Sequence, residues 1–169
     1  MNYRLATKSD LKELKKMYIN VTNNMITRKI NIWDDVYPCE FLEQDIINKE
    51  LYILTNHNEI ISAFTLKNNH PNENDINWSN ANANALYLER FCVNVKYQNK
   101  GIGIYTLCVA KKIALKQGFQ YLRLFVVDKN IPAIQLYNKC HFKKLEDFRI
   151  EYIDENLILK EYAYDLKLL

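Results

Sequence analysis

Hydrophobic and polar residues alternate with two different periods over the first fifty positions. The short run 3–6 predicts a strand, and the polar residues 7–10 offer caps for a helix that follows. Apolar residues then recur every three or four positions, at Leu11, Leu14, Met17, Tyr18 and Val21. This spacing predicts an amphipathic first helix. A second helix is predicted over 40–48, where the apolar residues share one side.

Shorter apolar runs separated by turn residues predict strands further along the chain. Residues 51–54 and 60–66 flank the sequence Asn56-His57-Asn58, whose turn chemistry predicts an antiparallel hairpin. The asparagine-rich stretch 67–84 predicts a long loop or a loosely paired excursion.

The central part of the chain predicts a strand, a helix and a second strand in succession. Residues 86–95 predict the first strand, 101–117 the helix, Gly118 its end, and 121–127 the second strand. Such a crossover normally joins parallel neighbours with a right-handed sense. The remaining predicted elements are a short helix over 131–139 and a final strand pair, 142–152 with 157–166.

Length and charge limit the classes of protein to which this chain can belong. The 169 residues predict a single domain over 1–169 that buries a core without disulfide or metal support. The net charge of +3 is spread along the chain, which argues against a nucleic-acid binder. The longest uncharged apolar stretch, 101–110, is too short to span a bilayer, and the first residues lack a signal-peptide core. We therefore expect a soluble cytoplasmic protein without nucleic-acid or membrane partners.

The cysteines predict free thiols rather than a metal site. The four, Cys39, Cys92, Cys108 and Cys140, are far apart in sequence, and no two of them form a C-x-x-C pair. Only three histidines accompany them, so no metal is predicted. Cys92 and Cys108 lie in apolar runs, where a thiol behaves as a small hydrophobic group.

A glycine-containing turn stands between the strand 86–95 and the helix after it. Its sequence is Gln98-Asn99-Lys100-Gly101-Ile102-Gly103. Two glycines in three positions let the main chain direct its N–H groups toward one point, and the helix N-terminus adds its positive dipole end. The turn predicts an anion site suited to phosphate, although a plain helix-entry turn has the same pattern.

Three segments together resemble the GNAT superfamily of N-acetyltransferases, over essentially the whole chain in element order. They are 88–93 entering the glycine turn, Asn130-Ile131-Pro132-Ala133, and 136–142. The resemblance implies a mixed α/β fold: a twisted, mostly antiparallel sheet of six to seven strands with a parallel, splayed central pair, flanked by about four helices. It also implies acetyl-CoA as co-substrate, with its pyrophosphate on the glycine turn.

The resemblance carries cofactor contacts onto particular residues. Gln98 and Lys100 match the polar or basic positions of the family turn, Asn130 matches the asparagine beside the pantetheine, and a main-chain N–H near Cys92 would polarise the thioester carbonyl. The residues expected at acetyl-CoA are Phe91, Cys92, Val93, Gln98, Asn99, Lys100, Gly101, Ile102, Gly103, Ile104, Asn130, Pro132, Ala133, Tyr137 and Lys139.

One departure from the family pattern is His141, which precedes Phe142 where relatives most often carry glycine. The turn into the final strands must therefore place a non-glycine residue in a left-handed or reshaped conformation. We interpret His141 as a surface turn residue rather than a metal ligand or a base.

Acetyl transfer to an amine needs a proton donor for the departing thiolate and a base for the ammonium group. Tyr137 matches the family tyrosine that protonates the CoA sulfur, although an aromatic core residue would also fit there. Glu89 is the best-placed carboxylate for the base, directly or through water. Strand alternation separates Glu89 from Arg90, so a surface pair with a lysine or a pair with Arg90 is the alternative role.

The resemblance places the acceptor pocket at the first two helices, their connector and the later loops. The candidates there are Trp33, Tyr37, Trp78 and Tyr87, with Tyr152. Aromatic walls suit a cation or an apolar amine, but aromatic residues also fill cores and interfaces. The final strands, with Tyr162, Tyr164 and Leu166, offer a contact for the homodimer that is common among relatives.

These features predict an acetyl-CoA-dependent N-acetyltransferase. It would move acetyl to the primary amine of a small molecule by direct attack in a ternary complex. The alternatives are a peptide or protein acetyltransferase acting on N-termini or lysines, and a non-catalytic acyl-CoA-binding sensor.

Overall fold

The computed structural model describes residues 1–34, 36–153 and 158–168. The strands are β1 (Asn2–Leu5), β2 (Leu51–Asn56), β3 (Glu59–Lys67), β4 (Ala85–Val93), β5 (Tyr121–Val127), β6 (Lys143–Tyr152) and β7 (Ile158–Lys167). The α-helices are α1 (Leu11–Thr27), α2 (Leu42–Ile47), α3 (Ile102–Lys116) and α4 (Ile131–Lys139). Short 3₁₀ turns lie at Lys8–Asp10, Glu73–Asp75 and Val95–Tyr97.

The strands form one sheet in the order β1-β2-β3-β4-β5-β7-β6. The pairs β1–β2, β2–β3, β5–β7 and β6–β7 are antiparallel. The pair β4–β5 is parallel, with a register that runs from Ala85 opposite Tyr121 to Tyr87 opposite Arg123. This confirms the predicted mixed α/β fold with a mostly antiparallel sheet and a parallel pair at its centre. The splay of that pair stays a prediction.

Contacts within the chain divide it into two compact units. Unit 1 comprises Met1–Leu66 with Glu89–Val109, and unit 2 comprises Lys67–Leu88 with Ala110–Leu169. The single domain over 1–169 stays a prediction.

The core of unit 1 joins one face of α1 to α2 and to the β2–β3 hairpin. Leu14 and Tyr18 of α1, Leu42 of α2, and Leu51 and Ile53 of β2 are fully buried. Each large apolar side chain removed from water in this way contributes about 1.5–3 kcal/mol. The helical spacing that predicted α1 is therefore the spacing of its buried face.

Local turn chemistry sets the ends of these elements. The Thr7 N–H donates to the Asp10 carboxylate at 2.7 Å and caps the turn that leads into α1. Asn56 pairs with Glu59, which leaves His57 and Asn58 as a two-residue hairpin turn with φ of 45° and 67°. Left-handed φ at both central residues matches the right-handed twist of the flanking strands. The predicted hairpin is confirmed.

In unit 2 the long connection 67–84 is a loop with one 3₁₀ turn, as predicted, but it is not loose. The Asn77 N–H donates to the Asp147 carboxylate at 2.6 Å. The Ser79 N–H and hydroxyl both donate to Asp165, at 3.0 and 3.1 Å. The Trp78 indole N–H donates to the Glu73 carbonyl at 2.7 Å. Buried side chains and β-strand carboxylates therefore fix the loop in place.

Two helices end at left-handed residues. Gly118 follows α3 with a φ of 83°, and His141 follows α4 with a φ of 66°. The His141 N–H donates to the Asn138 carbonyl at 3.0 Å. The left-handed histidine confirms the expectation drawn from the missing glycine, and it costs roughly 1–2 kcal/mol relative to an ordinary helical φ.

The final strands differ from the prediction in the direction of their aromatic residues. Tyr164 and Leu166 are buried within unit 2, where the Tyr164 ring lies 6.3 Å from that of Tyr137 in α4, so these two do not form an outward contact, whereas Tyr162 is half-buried. The exposed apolar residues of this hairpin are Phe148, Ile150, Tyr152 and Ile158. The predicted start of the last strand, Leu157, lies outside the described residues.

Candidate active site

The glycine turn of unit 1 forms a backbone concavity ahead of α3. Asn99 and Gly101 take left-handed φ of 59° and 79° on either side of Lys100. The Tyr105 N–H donates to the Gly101 carbonyl at 3.1 Å, so the N–H groups of residues 102–104 precede the first full helical bond. Alternating left-handed residues with free helical N–H groups behind them make an anion-binding surface.

The side chains of the turn fold back and leave the space beside Gly101 open. The Gln98 amide donates to the Val93 carbonyl at 3.1 Å, and the Lys100 ammonium donates to the Lys96 carbonyl at 3.0 Å. A Cβ built on Gly101 would meet no heavy atom within 4 Å. Gly103 lies inside α3. Only the first of the two predicted glycines therefore supplies the left-handed turn.

Strand β4, which leads into this turn, carries a left-handed residue of its own. Arg90 has a φ of 47°, and non-glycine residues pay roughly 1–3 kcal/mol for such a conformation. The Tyr18 hydroxyl donates to the Arg90 carbonyl at 2.6 Å. A residue of this kind persists in a strand only where its surroundings fix it, and α1 supplies one such contact.

Carboxylates surround the Arg90 side chain. Its guanidinium donates through Nε and Nη2 to Asp45 of α2 at 2.7 and 3.0 Å, and its Nη1 pairs with Glu89 at 2.9 Å. The Arg90 and Asp45 side chains are only 4% and 2% exposed. Burial alone would lower the pKa of Arg90, but the Glu89 and Asp45 carboxylates outweigh it and raise that pKa. The arginine is therefore charged.

Glu89 pairs with Arg90, although strand alternation predicted the two side chains on opposite faces, because the left-handed Arg90 interrupts the regular alternation of β4. Its side chain is 18% exposed, whereas that of Arg90 is almost completely buried. The alternative role as a partner of Arg90 is thus realised, and it leaves part of the carboxylate accessible. Its role as the base stays a prediction.

Cys92 belongs to the packing of β4. The Ser62 hydroxyl donates to the Cys92 carbonyl at 2.7 Å, and burial raises the pKa of the Cys92 thiol to about 12. A thiol with such a pKa stays protonated near neutral pH and is a poor nucleophile. This agrees with its interpretation as a small hydrophobic group.

Helix α4 of unit 2 carries the other predicted residues. The Asn130 side chain caps the helix by accepting from the Ala133 N–H at 3.4 Å, and Pro132 lies in the first turn. Tyr137 is buried with its ring 5.6 Å from Phe142, and burial raises its pKa above the ordinary value. A phenol with a raised pKa stays protonated near neutral pH, which a proton donor requires.

Four of the five predicted acceptor residues fall into two aromatic clusters, and the fifth, Tyr152, is exposed at the end of β6. In unit 1, Trp33 and Tyr37 are half-buried, with ring centroids 6.2 Å apart, and Phe41 continues the row 5.7 Å beyond Tyr37. In unit 2, Trp78 and Tyr87 are buried together at 5.8 Å. The unit 1 row keeps accessible ring surface, whereas the unit 2 pair fills a core.

The sequence did not single out two residues of this region, Asp45 and Tyr18, as chemically important. Asp45 lies between Leu42 and Ile46 on the buried side of α2, and a carboxylate at a core position is a signal that could have been read. Tyr18 was predicted as core, and its hydroxyl contact with Arg90 follows from long-range packing alone.

Comparison with known proteins decides the family. Residues 23–142, more than half of the chain, match the family model described as Acetyltransferase (GNAT) family. The chain belongs to the GNAT acetyltransferase family. The matched range includes the glycine turn, β4 and Tyr137. No curated protein matches the chain significantly.

Solved acetyltransferase structures share the fold at low sequence identity. A GNAT-family acetyltransferase from Streptococcus agalactiae 2603 is 14% identical, with a TM-score of 0.81, over 98% of this chain and 94% of that one. An N-acetyltransferase from Staphylococcus aureus Mu50 is 19% identical, with a TM-score of 0.70, over 99% and 98%. The ribosomal-protein-S18-alanine N-acetyltransferase from Escherichia coli is 15% identical, with a TM-score of 0.72, over 99% and 93%.

Two further features of the GNAT chain concern metals and membranes. Across residues 1–34, 36–153 and 158–168, no three His, Cys, Asp or Glu side chains are grouped to hold a metal ion. Within the same residues, no helix has the length and apolar character needed to cross a bilayer.

A polar cleft of about 690 Å³ lies beside α1 in unit 1 of this GNAT chain. It is lined by polar residues of α1, by the β2–β3 turn and by residues 94–96. Its charged walls include the Arg4–Asp10 and Lys96–Glu59 ion pairs. The predicted catalytic, cofactor and acceptor residues do not line it.

Proposed function

We propose that this GNAT chain is an acetyl-CoA-dependent N-acetyltransferase whose acceptor is the primary amine of a small molecule. The observation that carries the proposal is the turn 98–103, where left-handed Asn99 and Gly101 precede the N-terminus of α3. The open space at Gly101 lets an anion approach the backbone closely. Residues 98–104 would hold the pyrophosphate of acetyl-CoA, which supplies an activated thioester when bound.

The transfer needs proton movements at two predicted residues. A primary amine is mostly protonated at neutral pH, with a pKa near ~10, and Glu89 would accept its proton directly or through a water. The amine nitrogen then attacks the thioester carbon, the C–S bond breaks, and the nitrogen loses its excess proton to water or to the Tyr137 phenolate. Tyr137 would donate its phenolic proton to the departing sulfur, and its raised pKa keeps that proton in place beforehand.

The aromatic row of unit 1 supports an acceptor with an apolar or cationic group. Trp33, Tyr37 and Phe41 form a continuous row with partly accessible rings. Such a surface binds alkyl or aryl parts of an amine and attracts a cation to its faces. A homodimer and a cytoplasmic location stay predictions.

The first experiment is a titration with acetyl-CoA by calorimetry and thermal shift, with ATP and NAD as controls. A ligand that binds only the folded protein raises its stability by mass action, so selective stabilisation by acetyl-CoA supports the proposal. Binding better by ATP or NAD would contradict it. Thiol release is then measured with a panel of small primary amines and short peptides.

Two glycines provide a matched pair of variants for this titration. Gly101 and Gly118 both have left-handed φ and open space at the Cβ position, so aspartate strains both alike. We expect Gly101→Asp to weaken acetyl-CoA binding by about 100-fold or more, because its carboxylate would face the phosphates. Gly118→Asp should bind normally. Equal affinity in both variants would contradict the phosphate role of the turn.

The same assay separates the remaining alternatives. Thiol release with peptides but not with small amines would indicate a peptide or protein acetyltransferase. Tight acetyl-CoA binding without thiol release from any acceptor would indicate a sensor. Tyr137→Phe should lower turnover and leave acetyl-CoA affinity nearly unchanged, and unchanged turnover would remove Tyr137 as the proton donor.

A further inference from the structure

Strand β4 departs from extended geometry at Arg90. Among the residues of β4, Arg90 is the one with a left-handed φ, and it lies between Glu89 and Phe91. A left-handed residue inserted in a strand bends the chain and re-aims the groups that follow it. The main chain at Phe91 and Cys92 therefore follows a path that a regular strand would not give it.

Contacts from two helices hold this residue from both ends. The Tyr18 hydroxyl of α1 donates to its carbonyl at 2.6 Å. Asp45 of α2 accepts two hydrogen bonds from its guanidinium, at 2.7 and 3.0 Å. The Phe41 ring lies 5.2 Å from its guanidinium carbon. Backbone and side chain of Arg90 are thus fixed independently.

We propose that Tyr18 and Asp45 are positioning residues for acetyl transfer, because they hold Arg90 in the conformation that orients the main-chain N–H near Cys92 toward the thioester carbonyl. This inference rests on the proposed function and on the expectation, implied by the family resemblance, that a main-chain N–H near Cys92 polarises that carbonyl. Tyr18, Asp45 and Arg90 form the β4 clamp. The clamp acts on the reaction through the backbone and does not touch the reacting atoms.

The chemistry of the clamp fits positioning better than plain stabilisation. Buried ion pairs contribute little to stability when compared with apolar residues of the same size, so stability alone does not call for an arginine here. The hydrogen bonds of a guanidinium are directional, and they fix the orientation of the residue that carries them. Asp45 is itself fixed, because the Thr65 hydroxyl donates to it at 3.0 Å.

The clamp also connects the proposed acceptor surface to β4. Phe41 packs on the Arg90 guanidinium and is the last ring in the row that starts at Trp33 and Tyr37. A shift of this row on acceptor binding would therefore reach the residue that orients the carbonyl-binding N–H groups. The Arg90 side chain would then respond to the binding of both acetyl-CoA and the acceptor.

The test uses acetyl-CoA labelled with ¹³C at the acetyl carbonyl, so that no acceptor has to be known. Hydrogen bonding to this carbonyl moves its ¹³C signal, and calorimetry gives the affinity of the same sample. The variants are Tyr18→Phe, which removes one hydroxyl, and Asp45→Asn. The matched control is Asp10→Asn, because Asp10 also accepts two hydrogen bonds from an arginine, Arg4, at 2.7 and 2.8 Å.

We expect the bound carbonyl signal to differ from the free signal in the wild type and in Asp10→Asn. In Tyr18→Phe and Asp45→Asn the signal should return toward its free position while the affinity changes by less than about threefold. Turnover with any acceptor found should fall about 10- to 100-fold, which is typical of a misaligned or lost carbonyl donor. Amide signals of Phe91 and Cys92 should move in both variants.

Three outcomes are separable. A carbonyl signal that is the same in all four proteins overturns the positioning role, whatever the variants do to stability. Loss of turnover that only follows the unfolded fraction, measured by urea titration, also overturns it. Failure of the wild type to bind acetyl-CoA overturns the proposed function, and the inference falls with it. If Asp45→Asn does not fold, Tyr18→Phe decides alone, because it removes one atom and leaves the ion pair intact.

Discussion

Two buried arginines, one in each unit, meet the cost of burial in different ways. Arg90 in unit 1 is bonded to two carboxylates, Asp45 and Glu89. Arg123 in unit 2 forms no ion pair among the residues that the structure describes. Its guanidinium carbon lies 4.5 Å from the Trp78 ring, and it donates to the Asn80 carbonyl at 2.6 Å and the Tyr87 hydroxyl at 3.1 Å.

The difference follows from what each arginine holds. Arg90 fixes a strained residue within a strand, which takes strong, directional partners. Arg123 fixes the loop 67–84 through an aromatic face and a carbonyl, and its Nε has no hydrogen-bond partner within residues 1–34, 36–153 and 158–168. The ion pairs thus belong to Arg90, which fixes backbone geometry in β4. The aromatic packing belongs to Arg123, which only has to hold the loop 67–84 in place.

The largest expected effect is that of Arg90→Met. Removing the cation takes away the guanidinium bonded to the buried Asp45 carboxylate, which costs about 3–5 kcal/mol of unfolding free energy. Urea unfolding measures this loss. Adding Asp45→Asn to the variant should recover part of the stability, because the uncompensated charge is gone. A double variant no more stable than Arg90→Met would show that the ion pair does not carry the effect.

Trp78→Ala tests the aromatic side of the comparison. Truncating a buried tryptophan costs about 3 kcal/mol or more, and the variant also uncovers Arg123. Amide exchange in residues 67–84 should accelerate. Trp33→Ala is the matched control: it should cost less stability, since Trp33 is half-buried, and it should raise the KM for the amine. A raised KM for the amine in Trp78→Ala but not in Trp33→Ala would indicate that Trp78, rather than Trp33, belongs to the acceptor pocket.

Arg123→Met should cost less than Arg90→Met, about 1–2 kcal/mol. No carboxylate loses its partner, and the main loss is the hydrogen bond to the Asn80 carbonyl. Urea unfolding of both methionine variants under one set of conditions makes the comparison directly. If the two losses were equal, the distinction between charged and aromatic partners would fail.

The smallest effect is expected at the more exposed pair Arg4–Asp10. The Arg4 guanidinium, which hydrogen-bonds the carboxylate, holds the pKa of Asp10 well below its ordinary range. A depressed folded-state pKa stabilises the protein above the unfolded value, and this is lost as the pH falls. Because Arg4 is 47% exposed, solvent limits the gain to about 1 kcal/mol.

The measurement for this pair is the unfolding free energy of wild type and Asp10→Asn across pH. The wild type should be more stable near neutral pH, and the difference should shrink once the pH falls below about 4, the ordinary aspartate range. If the difference in unfolding free energy between the two proteins did not change as the pH fell below about 4, the effect of Asp10 would come from its helix-capping hydrogen bonds and not from its charge.

Local signals in the sequence predicted most of the elements. The α1 face, the hairpin at His57-Asn58 and the left-handed His141 all depend on neighbours within a few positions, and each is confirmed. Burial of the last strand was harder to predict. Tyr164 is covered by Tyr137 of α4, and the helix that packs on a strand is not encoded in the residues next to that strand.

The candidate site shows the same division between local and long-range information. The glycine turn and Tyr137 were found from short motifs, and their roles stay predictions. The contacts of Arg90 join residues 18, 45 and 90, which no spacing rule brings together. A left-handed arginine within a strand runs against every local preference, so it could be found only from the folded chain.

The position of β7 also has a consequence for synthesis on the ribosome. Strand β5 carries the apolar sequence 121–127, and the strand that pairs along its whole length, β7, is made only after α4 and β6. Until then one edge of β5 lacks its antiparallel neighbour and can pair with other chains. Aggregation during expression should therefore depend on translation speed through the last strands and on chaperones that shield this edge.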